Sequence, residues 1–532
     1  MITDEEGDVA MTTRMNRRGF LAAAGVTATA AAAGALAAEA PSGGSPAAGG
    51  GAPQRTAGAG AQFAPLRAEV QIDDCIVEGE IPSELNGGFY TVGPDPQYPM
   101  DPKNIVFDGE GHVRMFRIRN GRVSYRTRYV RTERYVAQNK AGRILMPIYR
   151  NPYMDDPSVK GLSRSTANTH VVPHNGLLLA LKEDSPPAAM NLDTLETIDP
   201  VYTFGDQLPR TQPFTAHPKF DAHTGNMIAF GYEAEGLGSD TVAVFEIDTV
   251  GRKLWETKIK VPYAGMLHDF AVTENHVALF VVPMIVDLEQ MKRGGIHWSW
   301  DKTKPTYFGF FRRGGDGKDL KWFTGPARSG THTMGAFEDK GRLYLDTEVT
   351  PGNPFPFMPN RDGSPPDIPG SRSTLHRISA SLKGGRNKGY DIELLFPLSA
   401  PLPRQDDRYN TAHYRYGFAN CPDPEPPAGQ PAVNCIARMD IQTKSYRLWK
   451  AKPTETVGEV VFAPKSPTAP EGQGYILATV WHADQNLRSD LVILDAERVE
   501  EGPIARVLLP VQAAPQVHGW WVREDQYPAQ PA

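Results

Sequence analysis

Cysteine is nearly missing from this 532-residue chain, with only three, at positions 75, 421 and 435. So few thiols exclude a disulfide scaffold and a cysteine-rich metal finger. A surplus of positive charge is lacking too. Lys and Arg number 56 against 62 Asp and Glu, a net charge of −6 with no basic stripe, so nucleic acid is a poor partner. No long segment repeats its apolar residues at a 3.6-residue period, which excludes a helical bundle. A strongly apolar run of membrane-spanning length is also absent. The one candidate, within residues 19–38, is mostly Ala and Gly, which insert weakly.

What is present is turn chemistry, 51 Gly and 47 Pro between recurring Val, Ile, Leu and aromatic runs. Arg17-Arg18-Gly19-Phe20-Leu21 precedes an Ala/Gly-rich stretch ending Ala35-Leu36-Ala37. This reads as a twin-arginine export signal over 1–37 with an A-x-A cleavage site. A Gly/Ala/Pro/Ser linker follows over 38–62, and 63–532 read as a single domain bound for the periplasm. That compartment is oxidising, so Cys421 and Cys435, which bracket a Pro-rich loop, are candidates for a disulfide, with Cys75 a buried thiol.

One pattern recurs: an alternating apolar strand, a polar turn with Asp, and a second strand. It appears in 190–204, 244–261, 436–450 and 491–510. Each reads as a hairpin whose Asp bonds its own turn backbone. Many hairpins with long loops fit an all-β, seven-bladed β-propeller better than the rival double sandwich. In a propeller, strand ends from distant blades meet at one axis. Metal-ligating histidines are therefore to be sought at wide spacing, beside small or turn-forming residues. Four of the thirteen fit: His217 (FTAHPKFD), His268 (GMLHDFAV), His332 (GTHTMGAF) and His518 (QVHGWWV). Each alone reads more readily as a hydrogen-bonded core or surface histidine than as a ligand. A rival facial triad uses His482 and Asp484 with His518. His170 and His174 lie four apart, useful only on a helix, which Pro173 and the flanking valines oppose. His112, His223, His276, His297, His376 and His413 read as structural or surface residues.

The four contexts in this order, with FDGEGHVRMFRI (107–118), YRNPYMDDPSV (149–159) and LDTEVTPGNPFPFMP (345–359), resemble the carotenoid cleavage oxygenases. The likeness is greatest to the bacterial branch acting on lignostilbenes and phenylpropanoids, and runs from about Phe63 to Val522. It implies an axial Fe(II) on His217, His268, His332 and His518. It also implies long loops capping that face, and cleavage of an aryl-alkene C=C bond by O2 into two carbonyl products. An apocarotenoid substrate is the alternative, and a metal-free periplasmic binding propeller the reading from another class. Glu183 and Glu459 match carboxylates that orient ligand histidines, and Thr169 matches a threonine shielding a coordination position. Where a third such Glu is expected stands Pro401. The resemblance implies a substrate-binding Tyr and Lys; the positions matched to them hold Asn104 and Arg134, of which Arg134 is the candidate to bind substrate by holding a phenolate. Phe355 and Phe357 match an aromatic cavity wall. A dimer and a membrane-touching apolar rim stay open.

Overall fold

The structure, a computed structural model, describes residues 65–384, 389–425 and 433–528. The expected signal (1–37) and linker (38–62) lie outside the described residues. Seven antiparallel sheets, each of four principal strands, stand around one axis, with a small two-stranded sheet (Met284–Val286 and Trp298–Trp300) added between strands of the fourth blade. This is the expected seven-bladed propeller.

Three of the four hairpins read from sequence form the two outer strands of a blade with Asp at the turn. In the third blade Thr241–Ile247 pairs with Lys253–Lys260, and Asp248 Oδ1 accepts from Val250 N (3.1 Å) and Arg252 N (2.8 Å). Asp440 and Asp495 close their turns alike, accepting from Gln442 N (3.0 Å) and Glu497 N (2.8 Å). The hairpin in 190–204 differs. There Asn191, rather than Asp193, accepts from the turn N–H groups of Asp193 and Thr194, both at 2.9 Å. An Asx turn needs only a short side-chain oxygen at the strand's end, and Asn supplies it as well as Asp.

Burial follows position in the blade. Met227–Tyr232, covered on both faces by neighbouring blades, is buried throughout. The outer Lys253–Lys260 alternates half-buried and exposed, as period-2 patterning requires of a half-covered strand. Phe230 and Phe245 are wholly buried, and each such side chain stabilises the fold by about 1.5–3 kcal/mol.

The first blade closes the ring. Its strands Gly87–Pro94, Gly111–Arg119 and Arg122–Tyr129 are joined by the C-terminal Gly519–Arg523, with Tyr90 opposite Trp520 and Phe89 opposite Trp521. Buried Arg114 donates to the carbonyls of Ala514 and Pro515, fixing the approach to that strand. Closure leaves no open edge between first and last blades.

Cys421 and Cys435 face one another on adjacent strands of the sixth blade. Both are buried free thiols here, not the disulfide considered from sequence. A hydrogen bond with Cys435, then burial, drives the Cys421 thiol well above its ordinary range. Burial pushes the Cys75 thiol up to about 12.

Candidate metal centre and cavity

The innermost strand of each blade starts near the axis at one end of the ring. His217 stands two residues before Lys219–Phe220, and His268 two before Phe270–Val272. His332 directly precedes Thr333–Asp339, and His518 directly precedes Gly519–Arg523. Four strand starts thus aim four imidazoles at one point, with all their ligand atoms within 4.8 Å of one another. His268 Nε2 lies 3.1 Å from both His217 Nε2 and His332 Nε2. Two nitrogens each about 2.1 Å from one ion, at right angles, would stand about 3 Å apart, so the spacing fits a shared metal. Buried His518 Nε2 has no protein partner, as a ligand atom should. Burial first, then the neighbouring imidazoles, drives His217 and His332 far below the ordinary histidine range. Burial, then His268 and Arg404, does the same to His518. These rings are neutral at pH 7 and present lone pairs. The donor set fits a divalent transition metal.

The second nitrogens are oriented unequally. His268 Nδ1 donates to Glu183 Oε1. Glu183 Oε2 accepts from Tyr232 Oη (2.6 Å) and lies 3.4 Å from Arg150 Nη1. Burial alone would raise the Glu183 carboxyl, but His268, Arg150 and Lys182 outweigh it and hold it well below the usual carboxylate range. His518 Nδ1 donates to Glu459 Oε1 at 2.8 Å, while Arg404 Nη1 (3.2 Å) and Gly519 N (2.7 Å) donate to the same carboxylate. There burial prevails and holds Glu459 above the usual range despite Arg404. His332 bonds the backbone carbonyl of Pro401. A peptide oxygen thus takes the place of the missing third Glu.

His170 joins the cluster without pointing at its centre. Its two nitrogens face the carbonyls of Ala216 (2.8 Å) and Gly519 (3.3 Å), each adjacent to a ligand-positioned histidine. The rival triad is not assembled. His482 is held within the seventh blade by Asp490 (2.7 Å) and Glu455 (3.4 Å), and Asp484 is exposed.

His268 and His332 line a cavity walled by Phe107, Phe355, Met358 and Leu402. Thr169 and Glu183 also line it. Phe357 is not among its lining residues; it packs against Phe107 (5.2 Å between centroids) and Phe355 (5.9 Å). Arg134 does not reach the cavity. It lies on the helix Glu133–Ala141, whose N-cap Thr132 accepts from Tyr135 N. From there its guanidinium turns to Asp108 (3.0 Å) and Glu110 (3.6 Å), buried at both ends. A buried guanidinium needs such counter-charges, and they are satisfied within the first blade. Asn104 is also a scaffold residue, accepting from Tyr149 N at 2.9 Å.

The cavity's own polar groups escaped the sequence reading. Tyr149 and Lys182 line it, with Lys182 Nζ 5.2 Å from the Tyr149 ring centre and 3.4 Å from Thr169 Oγ1. Burial lowers the Lys182 pKa and raises that of Tyr149. The usable signal was adjacency. Tyr149 opens the YRNPYMDD segment, and Lys182 precedes Glu183 where its strand, Leu177–Leu181, has just ended. Glu348 is a third such group, accepting from Thr331 N (2.7 Å) and Oγ1 (2.6 Å) and pushed upward by burial.

Comparison with known proteins agrees with this arrangement. Residues 63–523 match the family described as retinal pigment epithelial membrane protein, RPE65. Lignostilbene-alpha,beta-dioxygenase isozyme III of Sphingomonas paucimobilis is 38% identical over 486 residues, covering 89% of this chain and 98% of that protein. Isoeugenol monooxygenase of Pseudomonas putida is 36% identical over 469 residues, covering 87% and 97%. The crystal structure of Pseudomonas brassicacearum lignostilbene dioxygenase matches with a TM-score of 0.83 at 40% identity, over 86% of this chain and 96% of that one. With the family matched over most of its length, and its relatives covered almost end to end, this chain belongs to the RPE65/carotenoid cleavage oxygenase family and is an oxygenase.

Proposed function

We propose that this chain is a non-haem Fe(II) oxygenase that cleaves the C=C bond of a phenolic aryl-alkene with O2 into two carbonyl products. The observation that carries the reading is one apolar cavity with two clustered imidazoles at its inner end and a buried Lys–Tyr pair on its wall. His217, His268, His332 and His518 would hold the iron, with Glu183, Glu459 and the Pro401 carbonyl fixing their rings. When bound, iron supplies the redox chemistry that activates O2. Four imidazoles also accept Zn, Cu and Ni, so the choice of iron rests on the family and on the need for O2 chemistry.

The protein's own share is placement. Phe107, Phe355 and Met358 exclude water and seat an aromatic ring. Lys182 Nζ and Tyr149 Oη would take a phenolic hydroxyl, Lys182 donating to its oxygen. A polyene substrate would leave buried Lys182 Nζ with only its long contact to Thr169 Oγ1 (3.4 Å), so the phenolic reading is preferred to the apocarotenoid one. Export by the twin-arginine route belongs to the same proposal. Replacing Arg17 and Arg18 by Lys should keep the protein out of the periplasm.

The test is iron analysis of anaerobically purified protein, then isoeugenol, 4-hydroxystilbenes and apocarotenals with products identified by mass spectrometry. Aldehydes from the phenolic alkenes, and iron lost in His268→Ala, are expected. Full iron in that variant, or cleavage of apocarotenals alone, would sink the proposal.

A further inference from the structure

The histidine cluster also closes one end of a second cavity. Only His332 and Leu402 line both. The first cavity is lined by residues that precede the inner strands, such as Met266, Thr331 and Val517. The second is lined by residues within or just after the starts of those strands, among them Lys219, Val272, Ala336 and Gln405. The two therefore lie on opposite sides of the imidazoles, and the second follows the propeller axis.

Its wall is chemically different. Lys219, Asp269, Arg404, Gln405, Asp407 and Asn410 line it, and its charges are paired across the wall. Lys219 Nζ lies 2.7 Å from Asp269 Oδ1, and Arg404 lies 3.0 Å from Asp407 and 3.2 Å from Glu459. Lys219 also donates to Thr333 Oγ1 (3.2 Å), which itself donates to Asp269 Oδ2 (2.7 Å). An ion entering this channel would find no uncompensated counter-charge, whereas a dipolar molecule finds donors and acceptors along its length. Gln405 carries the second sign. It is only 3% exposed and gives its amide N–H to Asn410 Oδ1 at 2.8 Å, while its Oε1 has no protein partner. A buried carbonyl left unpaired costs about 1–3 kcal/mol. A water that reached this oxygen would supply the partner. His518 Nε2, also unpartnered, lies at the inner end.

From this we infer that the axial channel is a water path to the metal position, separate from the cavity that receives the alkene. The inference rests on the metal reading above. It divides the traffic by chemistry. The apolar substrate occupies a dry cavity, while solvent reaches and leaves the opposite side of the histidines through a polar one. O2, being apolar, gains nothing from the polar wall and shares the substrate's side.

The experiment uses full-length protein loaded with Mn(II), whose paramagnetism speeds the relaxation of exchanging solvent protons. 4-Hydroxybibenzyl, which has no C=C bond to cleave, fills the apolar cavity. Metal-dependent relaxation should persist with that cavity filled. It should be lost in Asn410→Trp, placed in the half-buried channel wall, with Mn(II) content unchanged. Ala336→Leu narrows another wall and should act alike, so the idea survives a misfolded first variant. Relaxation abolished by 4-hydroxybibenzyl alone, or untouched in both variants, would overturn it. A chain that takes up neither Mn(II) nor Fe(II) refutes the metal reading and this one with it, an outcome told apart by metal content alone.

Discussion

Glu459→Gln perturbs the centre through one atom pair. The parent carboxylate accepts three bonds, from His518 Nδ1 (2.8 Å), Arg404 Nη1 (3.2 Å) and Gly519 N (2.7 Å). The amide that replaces it has one acceptor oxygen. Turned toward His518, it keeps a neutral bond where a charge-assisted one stood, a loss of about 1–1.5 kcal/mol. Its NH2 then meets Gly519 N–H, leaving a buried donor against a donor at about 1–3 kcal/mol. Turned the other way, it sets the NH2 against His518 and Arg404, which is worse. Loss of such an orienting partner lowers metal affinity about 10- to 100-fold. Competition for Fe(II) or Co(II) against a chromogenic chelator, without oxygen, reads this directly. If Glu459→Gln holds the ion as tightly as the parent, the carboxylate does not orient His518 and the reasoning fails.

Other outcomes follow from the same contacts. His482→Gln should lower thermal stability, because Glu455 and Asp490 lose their shared imidazole, yet leave metal content unchanged, whereas His217→Ala should empty the site; metal analysis beside a melting curve separates them. Lys182→Met should raise KM for a 4-hydroxystilbene about 10- to 100-fold, the worth of a hydrogen bond to a charged group, and leave the unsubstituted stilbene unaffected. In Gly93→Ala the new Cβ would lie 1.8 Å from the Pro515 carbonyl oxygen. Both groups are backbone, so a cost of about 3 kcal/mol and reduced metal uptake are expected from denaturation and metal titration.

The parts legible in the sequence are those set by local rules. Asp248, Asp440 and Asp495 marked their hairpins because an Asx turn needs only neighbouring residues. The four histidines were legible because each sits where an inner strand begins, in a recognisable segment. What failed needed partners distant along the chain. Arg134 matched a motif position, but the helix that carries it aims the side chain at Asp108, 26 residues earlier. Tyr149 and Lys182 meet only because a loop before the second blade folds over the end of one of that blade's strands. The Pro401 carbonyl was illegible in principle. Every residue has such an oxygen, and only the fold says which one faces His332.

The closing strand has a consequence for the order of events in the cell. Tyr90 and Tyr527 touch across 437 residues of sequence, and His518 immediately precedes the strand that closes this gap. Such long-range pairing forms late. A chain that has not reached residue 518 holds at most three of the four imidazoles, and the fourth is fixed only when Gly519–Arg523 pairs with the first blade. Full affinity for the ion therefore belongs to the closed ring, and metal loading becomes a report that ring closure has occurred.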